Sequence, residues 1–372
     1  MSRNRVVYPS VRGIVAHFHS SYSSTVWWQQ CTRMGLLLLW VPLLNGCSLG
    51  FIWQAAVGQA KLLARQQPVE HVLQNGTLSE QERQKVRLIL EVRTFAAAQL
   101  GLHGDGSYTT FVNVGGPYVS YNVSAAPKDA LQPYVWWFPI VGRVPYKGYF
   151  KKASALREAR QLEAQGYDTY VYGVRAYSTL GYFDDPILSS MLTYHDFVLM
   201  STIIHELLHQ TVWVKGSVSF NESLASFVGD QGTLTYLAQR HGTDSPVYQH
   251  YLDLRADAEV FREYMQSIVA RLEALYAQPL SREEKLQRRE EVFADAKAAY
   301  PQVFPRMKTS AYQRYFERKT LNNAVMLSFR RYHRDTEFFE TALAAQHGDL
   351  RRFIAYCKSL RPHQIPATFR TQ

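Results

Sequence analysis

The feature that most constrains this 372-residue chain is a pentad, His205-Glu206-Leu207-Leu208-His209, followed after twelve residues by Glu222. On a helix, side chains at i and i+4 lie on one face. His205 and His209 would then aim two imidazoles at a common point, where a Zn²⁺ can sit. Glu206 is one position round from His205 and within reach of a water on such an ion, which is where a general base belongs. Glu222 is the natural third ligand and leaves the fourth position open for water or substrate. The competing reading is two surface histidines on an ordinary helix, with Glu222 a favourable first-turn charge. Context favours the metal. Residues 189–214 form an apolar-rich run without proline or glycine, the helix that the pentad requires. A second helical run, residues 221–239, opens on Asn221 as a candidate N-cap and puts Glu222 in its first turn.

The segment HELLHQTVWVKGSVSFNESLASFVGDQG, with the stretch YSTLGYFDDPIL at residues 177–188, resembles the putative aminopeptidase family of bacterial lipoproteins. The likeness runs over nearly all of the chain after Cys47. It implies an HExxH metallopeptidase with a glutamate third ligand, one zinc per chain, a peptide substrate and an aminopeptidase activity. Two departures from the better-known glutamate zincins stand out. Thermolysin-like enzymes and the large zinc aminopeptidases have a longer gap before the third ligand. Here a short loop, residues 214–219 with Gly216, must bring the second helix straight back. The Gly-x-Met-Glu-Asn signature that grips the substrate amine in the large aminopeptidases is also missing.

Composition bounds the setting. A chain 47% hydrophobic and 19% charged suits one large globular domain, here residues 47–372, carrying a helical hairpin at about 247–299. Residues 1–46 read differently. They hold Arg3, Arg5, Arg12 and Arg33 and no acid, and removing them lowers the net charge from +10 to +6. The short apolar run LLLLWVPLL, residues 36–44, precedes Leu44-Asn45-Gly46-Cys47, a lipobox-like tetrapeptide. The run is too short to span a bilayer and is interrupted by Pro42. We read a secretory leader ending in a lipid-modified Cys47, against a plain membrane anchor or a buried strand; translation could also begin at Met34. A lipid would hold the domain to a membrane surface. By resemblance to bacterial lipoproteins, Ser48 is compatible with an outer-membrane site facing the periplasm. Cys31, Cys47 and Cys357 make no disulfide framework. The basic, aromatic-rich stretch 306–334 reads as a solvated helix face or one near anionic lipid, and no nucleic acid is expected.

In chain order, residues 54–67 and 79–100 read as helices, the second stopped by Gly101. Residues 108–123 read as strand, turn at Gly115-Gly116-Pro117, and strand, and residues 134–150 continue in that style. Residues 152–165 return to helix, and residues 167–178 are a strand whose edge could align a substrate backbone. Asp184 and Asp185 follow in the loop before the pentad. Either could hold a substrate amine, but Asp185-Pro186 also reads as turn chemistry. Beyond Gly232 the chain is nearly all helix. Leu254, Phe261, Met265, Ile268, Leu272 and Leu275 form an a/d stripe, and residues 279–281 break it before a second charged helix, so the pair reads as a helical hairpin. Tyr177, Tyr236 and Tyr332 are candidate donors to an oxyanion.

The expected fold is α+β and helix-rich, with a zincin-like catalytic core, a small sheet on the metal-binding helix and a helical C-terminal region. Zinc on His205, His209 and Glu222 would lower the pKa of a bound water, and Glu206 would take its proton. A further acid should orient one imidazole. Four residues after Glu222 stands Ser226, so the partner comes from elsewhere, with Asp230 a candidate. Two rivals remain: a zinc endopeptidase acting on envelope proteins, and a non-catalytic zinc-binding lipoprotein. Glu206 argues against the latter, since a structural site fills all four positions and needs no base.

Overall fold

Ser79 shows how local chemistry starts the first long helix. Its hydroxyl accepts from Glu82 N (3.3 Å) and its own N–H donates to the Glu82 carboxylate (2.8 Å), a reciprocal capping box. The helix α1 (Glu80–Phe95) buries Val86, Ile89, Val92 and Phe95 on one face. A π-helical turn, Ala96–Leu100, follows, and Gly101 ends it at φ 69°, a backbone that a side chain would strain. The computed structural model describes residues 46–372 except 105, 139–141, 177–178, 180–183, 333–335 and 370–372; for 46–50, 52–53, 330–332 and 336 it describes the backbone alone. Residues up to Gln54 belong to one unit and Ala55–Gln372 to a second. A helix, Gly46–Leu63, crosses that boundary and carries Cys47 in its first turn. No described helix is long and apolar enough to cross a membrane. The remaining features belong to the second unit.

That unit is helix-rich with small sheets, an α+β arrangement. β1 (Gln67–Pro68) and β2 (Thr110–Val112) pair antiparallel, and β2 runs parallel to β8 (Ile187–Leu188). β3 (Ser120–Pro127) lies between β6 (Lys147–Tyr149) and β7 (Tyr167–Val174), antiparallel to both. β4 (Trp136–Phe138) and β5 (Gly142–Val144) make a separate antiparallel pair. The expected strand–turn–strand over residues 108–123 appears as β2, a bend at residues 115–117 and β3. Its halves, β2 and β3, join different sheets, because β3 finds an eight-residue antiparallel partner in β7. The helix α2 (Lys152–Ala164) connects β6 to β7 and buries Ala155, Ala159 and Leu162.

Two cores result. The first gathers α1 with α3 (Asp196–Thr211), α4 (Val218–His241) and the C-terminal helices α8 (Thr336–Ala345) and α9 (Leu350–Ser359), through Ile203, Ile204, Leu207, Phe220, Phe339 and Phe353 among others. The second lies between the β3–β7 sheet and a hairpin of α5 (Pro246–Tyr276) and α6 (Arg282–Val303), with α7 (Asn323–Tyr332). The a/d stripe of α5 is buried there from Phe261 through Met265, Ile268 and Leu272, while Leu254 packs on the first core instead. The hairpin begins and ends close to its expected bounds. Its anchor is a buried ion pair. Arg289 Nη1 donates to Asp168 Oδ2 on β7 (2.8 Å) and to Lys128 O (2.7 Å), and Nη2 to Asp168 Oδ1 (3.2 Å). Asn323 N donates to the same carboxylate (2.9 Å), so α6, α7 and β7 meet at one charge. In the basic stretch 306–334, Arg306, Lys308 and Arg314 pair with Glu263, Asp253 and Glu317.

Candidate metal centre

α3 and α4 approach closely because α4 has no side chain where they meet. A Cβ on Gly229 would lie 2.8 Å from Ser201 O, a backbone atom that cannot swing aside, and one on Gly232 would lie 3.0 Å from Ile204 Cδ1. The turn between the helices is held from within. Asn221 accepts from Val214 N (2.9 Å) and donates to Val214 O (2.8 Å), closing the loop over residues 214–217. This corrects its expected role as N-cap. The helix starts at Val218, after Ser217, and Asn221 is fully occupied as a loop clasp. The short gap between the pentad and Glu222 is thus spanned by one clamped turn.

The consequence is a tight cluster of donor atoms. His205 Nε2 and His209 Nε2 are 3.0 Å apart, and the Glu222 carboxylate lies 3.6 Å from each, through Oε2 to His205 and through Oε1 to His209. An ion with bonds of about 2.0–2.2 Å in a tetrahedral shell needs its ligands about 3.3 Å apart. The three groups converge on that spacing, one ligand atom from each lying within 4.8 Å of the others, and among the described residues this is the one His/Cys/Asp/Glu group so arranged. Electrostatics point the same way. Burial pushes the His209 imidazole down to about 4, and the charge of His205 adds to the effect. Burial also opposes charge on His205, but its hydrogen bond to the Glu222 carboxylate and the charges of Glu206, Glu222 and Asp230 outweigh it and leave that imidazole above its ordinary value. The two imidazoles are thus pushed in opposite directions, as expected of ionisable groups packed against each other. The outer nitrogen of His209, Nδ1, is buried without a hydrogen-bond partner among the described residues, which leaves Nε2 as the ring nitrogen that faces the cluster.

The cluster opens into a cleft of about 520 Å³. α3 contributes Ser201, Thr202, His205, Glu206 and His209, and α4 contributes Glu222, Ser226 and Asp230, spaced by one turn each. Trp213 stands at the cleft, its ring edge-on to His209 at 5.5 Å. The opposite side is the end of β7. Alternate residues of a strand turn their backbone groups to the same edge. Val174 O accepts from Val119 N (2.8 Å) on the β3 side. The carbonyls of Thr169 and Arg175 accept instead from Asn322 Nδ2 (2.9 Å) and Ser190 Oγ (2.7 Å). Val171 and Gly173 therefore turn their N–H and C=O to the outer edge, and Gly173 lines the cleft. The strand is shorter than expected, ending at Val174.

The other sequence candidates separate from this group. Asp185 is buried, its carboxylate taken by Thr179 N (3.1 Å) and Gln210 Nε2 (2.9 Å); Asp184 is exposed and lies against Gly106. Neither lines the cleft. Asp185 thereby ties the loop before α3 to the end of that helix. Tyr236 donates to Glu91 (3.0 Å) and also lies off the cleft. Tyr177 and the side chain of Tyr332 lie outside the described residues. Asp230 does line the cleft, with Ser201 Oγ (3.3 Å) and Tyr251 OH (3.2 Å) on Oδ1. Tyr251 comes from α5, so the hairpin reaches the site through this contact, while none of its residues lines the cleft. Two residues that sequence reasoning missed are Tyr194 and Arg175. Nothing in the local pattern marks either one, whereas the i, i+4, i+8 polar stripe Glu222, Ser226, Asp230 in a small-residue helix could have identified the cleft face of α4.

No curated protein and no solved structure matches the chain. A family model described as putative aminopeptidase matches residues 50–371, which takes in the pentad, Glu222, β7 and the hairpin. The protein therefore belongs to the putative aminopeptidase family.

Proposed function

We propose that the protein is a zinc aminopeptidase with a zincin-like core, in which His205, His209 and Glu222 hold the metal and Glu206 is the general base. The observation that carries this reading is the convergence of three donor groups, within 4.8 Å of one another, in a cleft that also holds Glu206 and a strand edge. Bound there, Zn²⁺ would supply a Lewis acid that lowers the pKa of a water and polarises a peptide carbonyl. Glu206, one residue on from His205, takes the water's proton and returns it to the leaving amine. The substrate backbone lies along the outer edge of β7, bonded to the main chain at Gly173. Asp230 is the carboxylate that receives the free amine, held in place by Ser201 and Tyr251. Tyr194 is the donor to the oxyanion. Burial, and then the charge of Glu206, hold its phenol above the ordinary tyrosine value against the pull of Arg175, so it keeps its proton at neutral pH.

The test is metal content and hydrolysis of free against amino-terminally acetylated peptides, on one preparation. One zinc per chain with cleavage of free amino termini alone is the expected result. Cleavage of acetylated peptides would make the protein an endopeptidase. Zinc without turnover would leave a binding protein, and a metal-free, inactive chain would overturn the site. Lipid attachment at Cys47, with the domain on the periplasmic face of a bacterial outer membrane, completes the proposal. Cys47→Ala should then lose fatty-acid labelling and leave the membrane fraction.

A further inference from the structure

The cleft holds one arginine and no lysine among its described lining residues. Arg175 follows β7 directly, and its carbonyl is tied to Ser190 Oγ. Its guanidinium carbon lies 4.8 Å from the centre of the Tyr118 ring and 5.3 Å from that of Tyr194. Ring faces hold a guanidinium plane without using its N–H groups. Among the described residues Nε is buried without a hydrogen-bond partner and no carboxylate forms an ion pair with Arg175. The seat for one ring is built into the strand. A Cβ on Gly173 would lie 2.3 Å from the Tyr118 ring, so that ring occupies the space a side chain would fill. A buried N–H without a partner is costly, and a rigid, flanked fork of N–H donors matches a carboxylate or a phosphate, of which an unmodified peptide supplies the carboxylate.

The geometry points to Arg175 as a specificity-determining residue that binds a carboxylate of the substrate. The inference rests on the reading of this cleft as a peptidase site. Two sources share that chemistry: the C-terminal carboxylate of a short peptide, and an acidic side chain beside the scissile bond. Either way the preferred substrates are short or acidic peptides. Neutral interior segments would leave the guanidinium unpaired.

The experiment measures calorimetric binding to the full-length, zinc-loaded chain carrying Glu206→Gln, so that binding is read without turnover. The probes are alanyl-alanine against its amide, and the amides of alanyl-glutamate against alanyl-glutamine. In at least one pair the carboxylate member should bind tighter, on the order of tenfold to a hundredfold, as expected for a charge-assisted pair. The first pair reports a terminal carboxylate and the second a side chain. Adding Arg175→Gln should remove that preference while leaving affinity for the neutral member unchanged. Arg175→Lys should restore part of it, and Gly173→Ala, by displacing Tyr118, should reduce it. Equal binding within both pairs, binding of none of the four, or a preference that survives Arg175→Gln would overturn the inference. Hydrolysis by the Glu206 protein is scored separately. Cleavage without a carboxylate preference retains the peptidase and removes this role for Arg175. A preference abolished by Arg175→Gln in a chain that cleaves nothing retains the role and removes the peptidase.

Discussion

The molecule contains two antiparallel helix pairs built on opposite principles. In α5–α6 the interface is apolar: Phe261, Met265, Ile268 and Leu272 face Phe293, Ala296 and Tyr300. Such a pair gains stability from each buried side chain, at roughly 25 cal/mol for every Å² removed from water. In α3–α4 the helices touch through Gly229, Gly232 and Ser201, and the face beyond that contact carries His205, Glu206, His209, Glu222, Ser226 and Asp230. Close approach there removes apolar side chains and concentrates buried polar groups, which costs stability unless each is paired. The hairpin pairs both of its buried charges, Arg289 with a bidentate partner and Asp257 with the amides of Lys308 and Thr309 (2.7 Å each). The α3–α4 pair leaves His209 Nδ1 and the hydroxyls of Ser219 and Ser223 buried without partners among the described residues. One pair is organised around buried apolar side chains, the other around close backbone approach and a row of polar groups.

Four substitutions test the contrast. Glu206→Gln should have the largest functional effect, lowering turnover by about 10²–10⁴, the range of a lost general base. Zinc content and melting temperature should stay as in the parent, and retention of full activity would refute the mechanism. Asp168→Ala removes the partner of a buried guanidinium and should destabilise the protein by about 3–5 kcal/mol. Denaturant unfolding measures that, with zinc stoichiometry unchanged under native conditions; a loss below 1 kcal/mol would show that Arg289 finds water instead.

Gly229→Ala separates the two pairs most sharply. In an open helix this change is worth about 1 kcal/mol of stabilisation. Here the new methyl meets Ser201 O, so the expected outcome is a net destabilisation of about 1–3 kcal/mol. The helices should separate and weaken zinc affinity in a chelator competition. Unchanged affinity would mean that their contact does not set the ligand spacing. The smallest effect is expected at Ser281, whose hydroxyl caps α6 and whose N–H is capped in return by Glu284. Ser281→Ala should cost about 1 kcal/mol and leave metal binding and hydrolysis untouched.

How far the sequence carried depended on the range of the interaction involved. Helix spans followed from spacing and caps, so α1, α2 and the hairpin appear within a few residues of expectation. Asn221 misled because a residue suited to capping was recruited by a backbone group seven positions away, at Val214. β2 and β3 read as strand, turn and strand from local composition, but the pairing of β3 with β7 was decided across about 50 residues of chain. The candidate ligands were legible because helical periodicity alone brings His205 and His209 together. Arg175 and Tyr194 were not, since they meet only when β7 and the chain entering α3 are laid side by side.

By itself, then, the sequence determined the elements whose causes are local: the pentad's helix, the a/d stripe, the capping boxes, and a spacing that allows only a short turn before Glu222. Tertiary structure alone decided how near α4 comes to α3, which acids face the cleft, and which are consumed in holding loops. The physical reason is that period and cap act within one or two turns of the chain. The direction of Asp185 away from the cleft and of Asp230 into it depends on hydroxyls, amides and strand edges supplied from elsewhere in the fold.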